Sequence, residues 1–177
     1  PVLPTPVIGM LGLLDDASQC LGSGFKNNGD VVYLLGSAGG HGLGGSLYLK
    51  VIHDLISGPV DAPDFKHEIA LNDLLLKLIK QKLIHSAHDI SEGGLATCLA
   101  ECCLTDTEKL IGVTVDFSRE GNQAAHLFGE YPGRVVVSAA LQDSLEVKRH
   151  CESFNIPFMK IGIVGGNSFV WNDVLNI

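Results

Sequence analysis

The chain has 177 residues, of which 46% are hydrophobic and 18% charged, and a formal net charge of −8. These figures fit one globular domain, or one domain with a piece of another, large enough to bury a real core. The acidic balance and the lack of any Lys/Arg cluster speak against nucleic acid or an anionic membrane as partners, and no apolar run approaches a bilayer span.

The chain opens on Pro1, without the basic and apolar regions of a secretory signal. Val7 to Leu14 is an apolar run, closed by Asp15-Asp16, that reads as a strand with no partner before it. With the non-Met start, it is expected to be the end of an element cut from a longer polypeptide. Residues 1–20 would then be an orphan that pairs with a missing domain or, as a homodimer, with another copy. Residues 15–30 read as a linker ending in the turn Asn27-Asn28-Gly29-Asp30. Val31 to Leu35 is an expected buried strand. It runs into Gly36-Ser37-Ala38-Gly39-Gly40-His41-Gly42-Leu43-Gly44-Gly45-Ser46, whose glycines permit a backbone nest around an anion. The loop matches neither a dinucleotide fingerprint nor a P-loop. Gly44, Gly45 and Ser46 are the candidate phosphate contacts; a flexible connection ending in a small helix-starting residue is the plainer account. Leu47, Tyr48, Val51, Ile52 and Leu55 then recur at helical spacing, and Gly58 to Pro63 breaks the chain. Leu71, Leu74, Leu75, Leu78 and Ile79 mark an amphipathic helix that closes in Lys80 and Lys82, as the helix dipole favours.

Leu83 to Ala87 reads as a short strand, and Leu95, Leu99 and Cys102, with Cys98 on the adjacent face, as a helix. Between them, His88-Asp89-Ile90-Ser91-Glu92-Gly93-Gly94 is an expected strand-to-helix turn. Gly93 and Gly94 allow positive φ and close approach, and Ser91 is the expected N-cap. Asp89 and Glu92 sit where they can hold backbone donors or a ligand hydroxyl; a capped helix start with acidic residues on its dipole is the structural alternative. His85 and His88 would face opposite sides of a strand, so no shared metal is expected. The five cysteines include no C-x-x-C pair, and those of the Leu95–Leu104 helix are expected to pack in the core of a protein kept reduced in the cytoplasm. Gly112 to Phe117 and Arg134 to Ala140 read as strands. Glu130 sits in the tight turn before the second of them, a candidate ligand turn, although taken alone it is a solvated carboxylate. Ser144 to Phe154 is an expected helix with Leu145, Val147, Cys151 and Phe154 inward, and Ile161 to Val164 the last strand. No nucleophile elbow and no Cys beside a recognisable base occurs, so no catalytic residue is assigned. The interleaved elements predict an α+β fold, a layered α/β/α sandwich with a mixed sheet.

As an ordered set, Pro4-Thr5-Pro6-Val7-Ile8-Gly9, Phe25-Lys26-Asn27-Asn28-Gly29-Asp30, Leu43-Gly44-Gly45-Ser46-Leu47-Tyr48, His88-Asp89-Ile90-Ser91-Glu92-Gly93-Gly94-Leu95 and Leu127-Phe128-Gly129-Glu130 resemble the phosphoribosylformylglycinamidine synthases, in the second half of their synthetase part. These are purine enzymes of the aminoimidazole ribonucleotide synthetase-like superfamily. The resemblance implies that residues 1–28 are the tail of a preceding nucleotide-binding domain plus linker. Residues 29–177 would be the C-terminal domain of that unit. It further implies a parent ligase in which ATP phosphorylates the formamide oxygen of formylglycinamide ribonucleotide and glutamine-derived ammonia then gives the amidine. The parent would use ATP and magnesium, held mostly by segments outside this chain, so the isolated chain is expected to be inactive and to bind no cofactor tightly. Implied partners are the preceding domains and a glutamine amidotransferase domain or subunit. The family's pseudo-dimeric halves also allow an auxiliary nucleotide site in the half resembled here. Two departures stand out: Leu47 replaces a usual Glu, and Tyr131-Pro132 a usual Ser-Gln, removing polar groups from loops that resemble substrate-facing ones. Selenophosphate synthetase, the hydrogenase-maturation dehydratase and thiamine-phosphate kinase share the architecture, and a non-catalytic docking module is the alternative of another class.

Overall fold

Val31-Val32-Tyr33-Leu34-Leu35 is apolar at every position, the composition of a strand covered on both faces. In the computed structural model, which describes residues 6–39, 41–106, 110–117, 121–172 and 174–177, it forms β1 (Val31–Gly36) at the centre of the fold, buried throughout. The other strands are β2 (Ser86–Asp89), β3 (Val113–Val115), β4 (Arg134–Ala139), β5 (Phe158–Val164), β6 (Phe169–Trp171) and β7 (Leu175–Asn176). The helices are α1 (Leu47–His53), α2 (Phe65–Lys80), α3 (Gly94–Leu104), α4 (Gln123–Phe128) and α5 (Ser144–Ser153).

The described strands form one sheet in the order β2-β4-β1-β5-β3-β6-β7. β1 runs antiparallel to both β4 and β5, and β3 and β6 form a parallel pair, so the sheet is mixed. Side chains alternate between its faces. Val31, Tyr33 and Leu35 pack with Leu71, Leu74 and Leu78 of α2 and with Val147 and Cys151 of α5. Val32 and Leu34 pack on the other face with Leu95, Leu99 and Cys102 of α3. Helices therefore cover both faces of the sheet, the α+β layered arrangement expected. Asp64 starts α2 by accepting from the N–H groups of Lys66 and His67, and Lys77 and Lys80 occupy its last turn.

Several local expectations need correction. Residues 7–14 form no strand: Val7, Met10, Leu11 and Leu13 project into solvent, because an apolar run without a neighbouring strand has no ladder to join. β2 begins at Ser86 rather than Leu83, since its register is set by β4: Ser86 pairs with Ser138, and their buried hydroxyls lie 2.6 Å apart. This moves His88 and Asp89 from the turn into the strand. The stripe on α1 faces outward, with Leu47, Val51 and Ile52 exposed, and the helix stops at His53 with Asp54 in a left-handed conformation, leaving the exposed Leu55 beyond its end. Leu145 is likewise 71% exposed, although Val147 and Cys151 point inward as expected. Ile161 to Val164 is not the last strand, because the chain returns through β6 and β7. α4 has no sequence counterpart; at six residues it is too short to show a period.

Candidate functional site

β2 and β4 are paired to the end of β2, and the Ile90 N–H still reaches the Arg134 carbonyl at 3.1 Å. Beyond Ile90 the chain must turn away from the sheet within a few residues. Gly93 and Gly94 make this possible with φ of 78° and 70°, a region costly for residues bearing Cβ. α3 begins at Gly94 with Gly93 as its N-cap. Ser91 is therefore not the cap, contrary to expectation; its carbonyl accepts from the Gly94 N–H at 3.1 Å.

The cap is supplied from a distance. Oε1 of Glu130, in the turn between α4 and β4, accepts from the Gly93 N–H at 2.7 Å and from the Leu47 N–H at 2.8 Å. A half-buried carboxylate thus serves the starts of both α3 and α1, which corrects the reading of Glu130 as a solvated turn residue. At α1, Ser46 is 1% exposed; its Oγ accepts from the Leu49 N–H at 3.3 Å and donates to the Leu43 carbonyl at 2.7 Å. A Cβ on Gly44 would collide with the Pro59 carbonyl oxygen. The close approach allowed by Gly44-Gly45-Ser46 is therefore to the chain's own 57–59 segment, where the Gly45 N–H donates to the Ser57 carbonyl at 2.9 Å.

The same turn fastens the glycine loop. The Glu130 N–H donates to the Gly42 carbonyl at 2.8 Å, and the Tyr131 hydroxyl to the Ser37 carbonyl at 3.0 Å. The His41 ring stacks on Tyr131 with centroids 4.0 Å apart, and the Arg134 guanidinium lies 3.6 Å from the Tyr131 ring centre. Arg134 is 2% exposed and donates through Nη2 to the Gly129 carbonyl at 2.6 Å. Its burial holds the guanidinium below its ordinary pKa, with Tyr131 opposing the shift. Sequence reasoning missed Arg134; the available signal was a lone cation between a tight turn and an apolar strand.

A cavity of about 470 Å³ opens between these elements, within the size range of small-molecule sites. Asp89, Ser91, Glu92 and Glu130 all line it, joined by Glu68 of α2 and by Arg134. The structure thus brings together the expected turn residues and Glu130, whereas Gly44, Gly45 and Ser46 connect to them only through Leu47. Asp89 and Glu92 are exposed and hold no backbone amide among the described residues. The rim is strongly acidic, Arg134 is its sole cationic side chain among the described residues, and the amides of Leu47 and Gly93 are already taken by Glu130. Among the described residues no group of three or more His, Cys, Asp or Glu side chains is placed to hold a metal. The cavity residues by themselves therefore do not fit a magnesium–nucleotide complex. His85 and His88 serve separate carboxylates: His85 Nδ1 lies 2.8 Å from Asp30 Oδ2, and His88 Nε2 lies 3.2 Å from Glu101 Oε2. Cys98, Cys102, Cys103 and Cys151 are buried, as expected of packing residues. The Cys102 hydrogen bond and burial push the Cys98 thiol up, and burial pushes Cys103 and Cys151 up to about 12, so Cys98, Cys103 and Cys151 are not activated nucleophiles.

Residues 27–171 match the family described as AIR synthase related protein, C-terminal domain. The chain belongs to that family. Within it, the chain is 36% identical over 165 residues to the phosphoribosylformylglycinamidine synthase subunit PurL of Thermoanaerobacter sp. (strain X514), covering 93% of this chain and 22% of that relative. It also superposes on Thermotoga maritima PurL complexed with FGAR, with a TM-score of 0.72 at 16% identity, over 91% of this chain and 29% of the other. A PurLQS structure from the same organism gives a TM-score of 0.71 at 14% identity, over 91% and 27%. The chain thus spans between a fifth and a third of these PurL relatives, and at those identities the solved structures establish the shared fold.

Proposed function

We propose that this member of the AIR synthase related family is part of a phosphoribosylformylglycinamidine synthase. Residues 29–177 are its C-terminal synthetase-like domain, and residues 1–28 the tail of a preceding nucleotide-binding domain with its linker. The parent protein converts formylglycinamide ribonucleotide to the formylglycinamidine ribonucleotide with ATP and ammonia drawn from glutamine. The observation that carries this reading is the 36% identity extending over 93% of the chain to a protein of that name. ATP and magnesium are held mainly by parts of the parent outside this chain, which is why the cavity here lacks the cationic groups a triphosphate needs. The chain contributes a wall of the parent's structure and is inactive alone. A glutamine amidotransferase domain or subunit supplies the ammonia, in line with the assembly named for the Thermotoga maritima relative. No described helix is long and apolar enough to cross a membrane, consistent with work in the cytoplasm.

The test is ATP hydrolysis by the complete protein in the presence of an ammonium salt. Hydrolysis that requires formylglycinamide ribonucleotide and yields the amidine is expected, with none from the 177-residue chain alone. A complete protein that hydrolyses ATP with no dependence on this ribonucleotide overturns the assignment.

A further inference from the structure

The glycine loop and the acidic turn are the two segments that bring ligand-type chemistry to this domain, and they are far apart in the chain. Among the described residues, what ties them directly is one atom. Oε1 of Glu130 accepts from the Leu47 N–H at 2.8 Å, at the end of the glycine loop, and from the Gly93 N–H at 2.7 Å, at the end of the acidic turn. Both are short bonds to an ionised acceptor, the strong class of hydrogen bond. The Glu130 N–H meanwhile holds the Gly42 carbonyl at 2.8 Å, so this residue grips the loop at two points. Both donors to Oε1 are main-chain groups, so the departure at position 47 leaves the joint intact. Tyr131-Pro132, the other departure, lies just beyond it.

We infer that Glu130 is a positioning residue whose carboxylate acts as a built-in anion, fixing the end of the glycine loop against the acidic turn and so holding that turn where it lines the cavity. It acts on a ligand in the cavity through the acidic turn, whose Asp89, Ser91 and Glu92 line it. The inference rests on the proposed function only for which ligand the cavity serves; the joint stands on geometry alone. Electrostatics favour this role. Two N–H groups converging on one point make an anion site, and here the chain fills it with its own side chain.

The test is amide hydrogen exchange by NMR on the 177-residue chain, comparing the wild type with Glu130→Gln and Glu130→Ala. In Glu130→Ala, the Leu47 and Gly93 amides are expected to exchange at least tenfold faster, while the central-sheet amides of Leu34 and Val137 keep their protection. Sodium formate, small enough for the space vacated by the side chain, should restore protection at both amides saturably; sodium chloride at equal ionic strength should not. Unchanged exchange at Leu47 and Gly93, loosening that spreads equally to Leu34 and Val137, or indifference to formate overturns the proposal. If Glu130→Ala does not fold, Glu130→Gln decides: severalfold faster exchange at both amides supports the joint, and wild-type exchange refutes it. No nucleotide enters this measurement. A positive result beside a parent protein without ligase activity would overturn the proposed function and leave the joint standing, and the reverse outcome is equally readable.

Discussion

At the scale of single residues, carboxylates close in space carry different tasks. Glu130 holds two backbone amides, whereas Asp89 and Glu92 line the same cavity with none. Asp89→Asn combined with Glu92→Gln should therefore leave stability within about 0.5 kcal/mol of wild type, as for exposed side chains that hold no backbone amide, Asp89 having only the adjacent His88 ring 3.6 Å away. In the complete enzyme the same pair should lower turnover about tenfold, equivalent to ~1.4 kcal/mol of transition-state stabilisation. Thermal melts and turnover measured on the same preparation check both halves; a matched fall in stability and turnover would return these residues to a structural role. Asp30 shows the opposite case. It is buried, and its carboxylate meets His85 Nδ1 at 2.8 Å and the Asn27 side-chain amide at 3.2 Å. His85→Ala removes a main partner of a buried charge and should cost about 2–3 kcal/mol in a urea melt, the desolvation cost of a polar group left under-satisfied.

At the scale of elements, most of the framework was readable and the fastening was not. Val31–Leu35 and Arg134–Ala140 stand out because a strand covered on both faces needs apolar residues throughout, and α2 because its Leu positions keep a helical period. The stripe of α1 misled: Leu47, Val51, Ile52 and Leu55 have the same spacing, yet nothing in the described chain covers them. A period reports that a face is apolar, not what it packs against. The start of β2 was misplaced by three residues because register depends on β4, a strand nearly fifty residues downstream. The bonds of Glu130 span 83 and 37 residues, and no local pattern encodes such a pairing. The turn residues of the candidate site were legible from their types, but the cavity that unites Asp89, Glu92 and Glu130 required the fold. Within α3, Leu99 is fully buried between β1 and its neighbours, so Leu99→Ala should cost about 2–5 kcal/mol by transfer and cavity terms. Leu145→Ala, on the outward side of α5, should cost almost nothing in the same urea titration. The buried thiols add a pH dependence. Cys103 and Cys151 titrate near 9 when unfolded and at about 12 when folded, so the native state holds their protons more tightly. That stability is fully present below pH 9 and is lost as pH rises towards 12. Urea midpoints at pH 7.5 and pH 10.5 should show the fall, and Cys103→Ser with Cys151→Ser should reduce it, Cys98 still contributing in the same direction; equal midpoints in the unmodified chain would contradict the burial argument.

At the scale of the whole molecule, the layered sandwich closes its own core but leaves many apolar side chains uncovered, notably in two stretches. One is the segment from Val7 to Leu14, with Val7 93% and Leu11 fully exposed; the other is the outer face of α1, with Val51, Ile52 and Ile56 exposed. Scattered exposed apolar residues are ordinary, but runs of this kind mark surfaces that other protein covers. Residues 6–16 belong to no strand or helix and contribute no residue to either core cluster. Their removal should therefore cost the sheet nothing. Deleting residues 2–14 is expected to leave the urea midpoint and the cooperativity of unfolding unchanged and to reduce self-association in sedimentation equilibrium, because residues 7–14 expose apolar surface without supporting the core. If the deleted chain instead unfolds over a broad transition, the segment is part of the domain, and the boundary near residue 28 must move towards the N-terminus. If unfolding is unchanged but association persists, the outer face of α1 is the contacting surface, and Val51→Lys with Ile52→Glu should abolish the association.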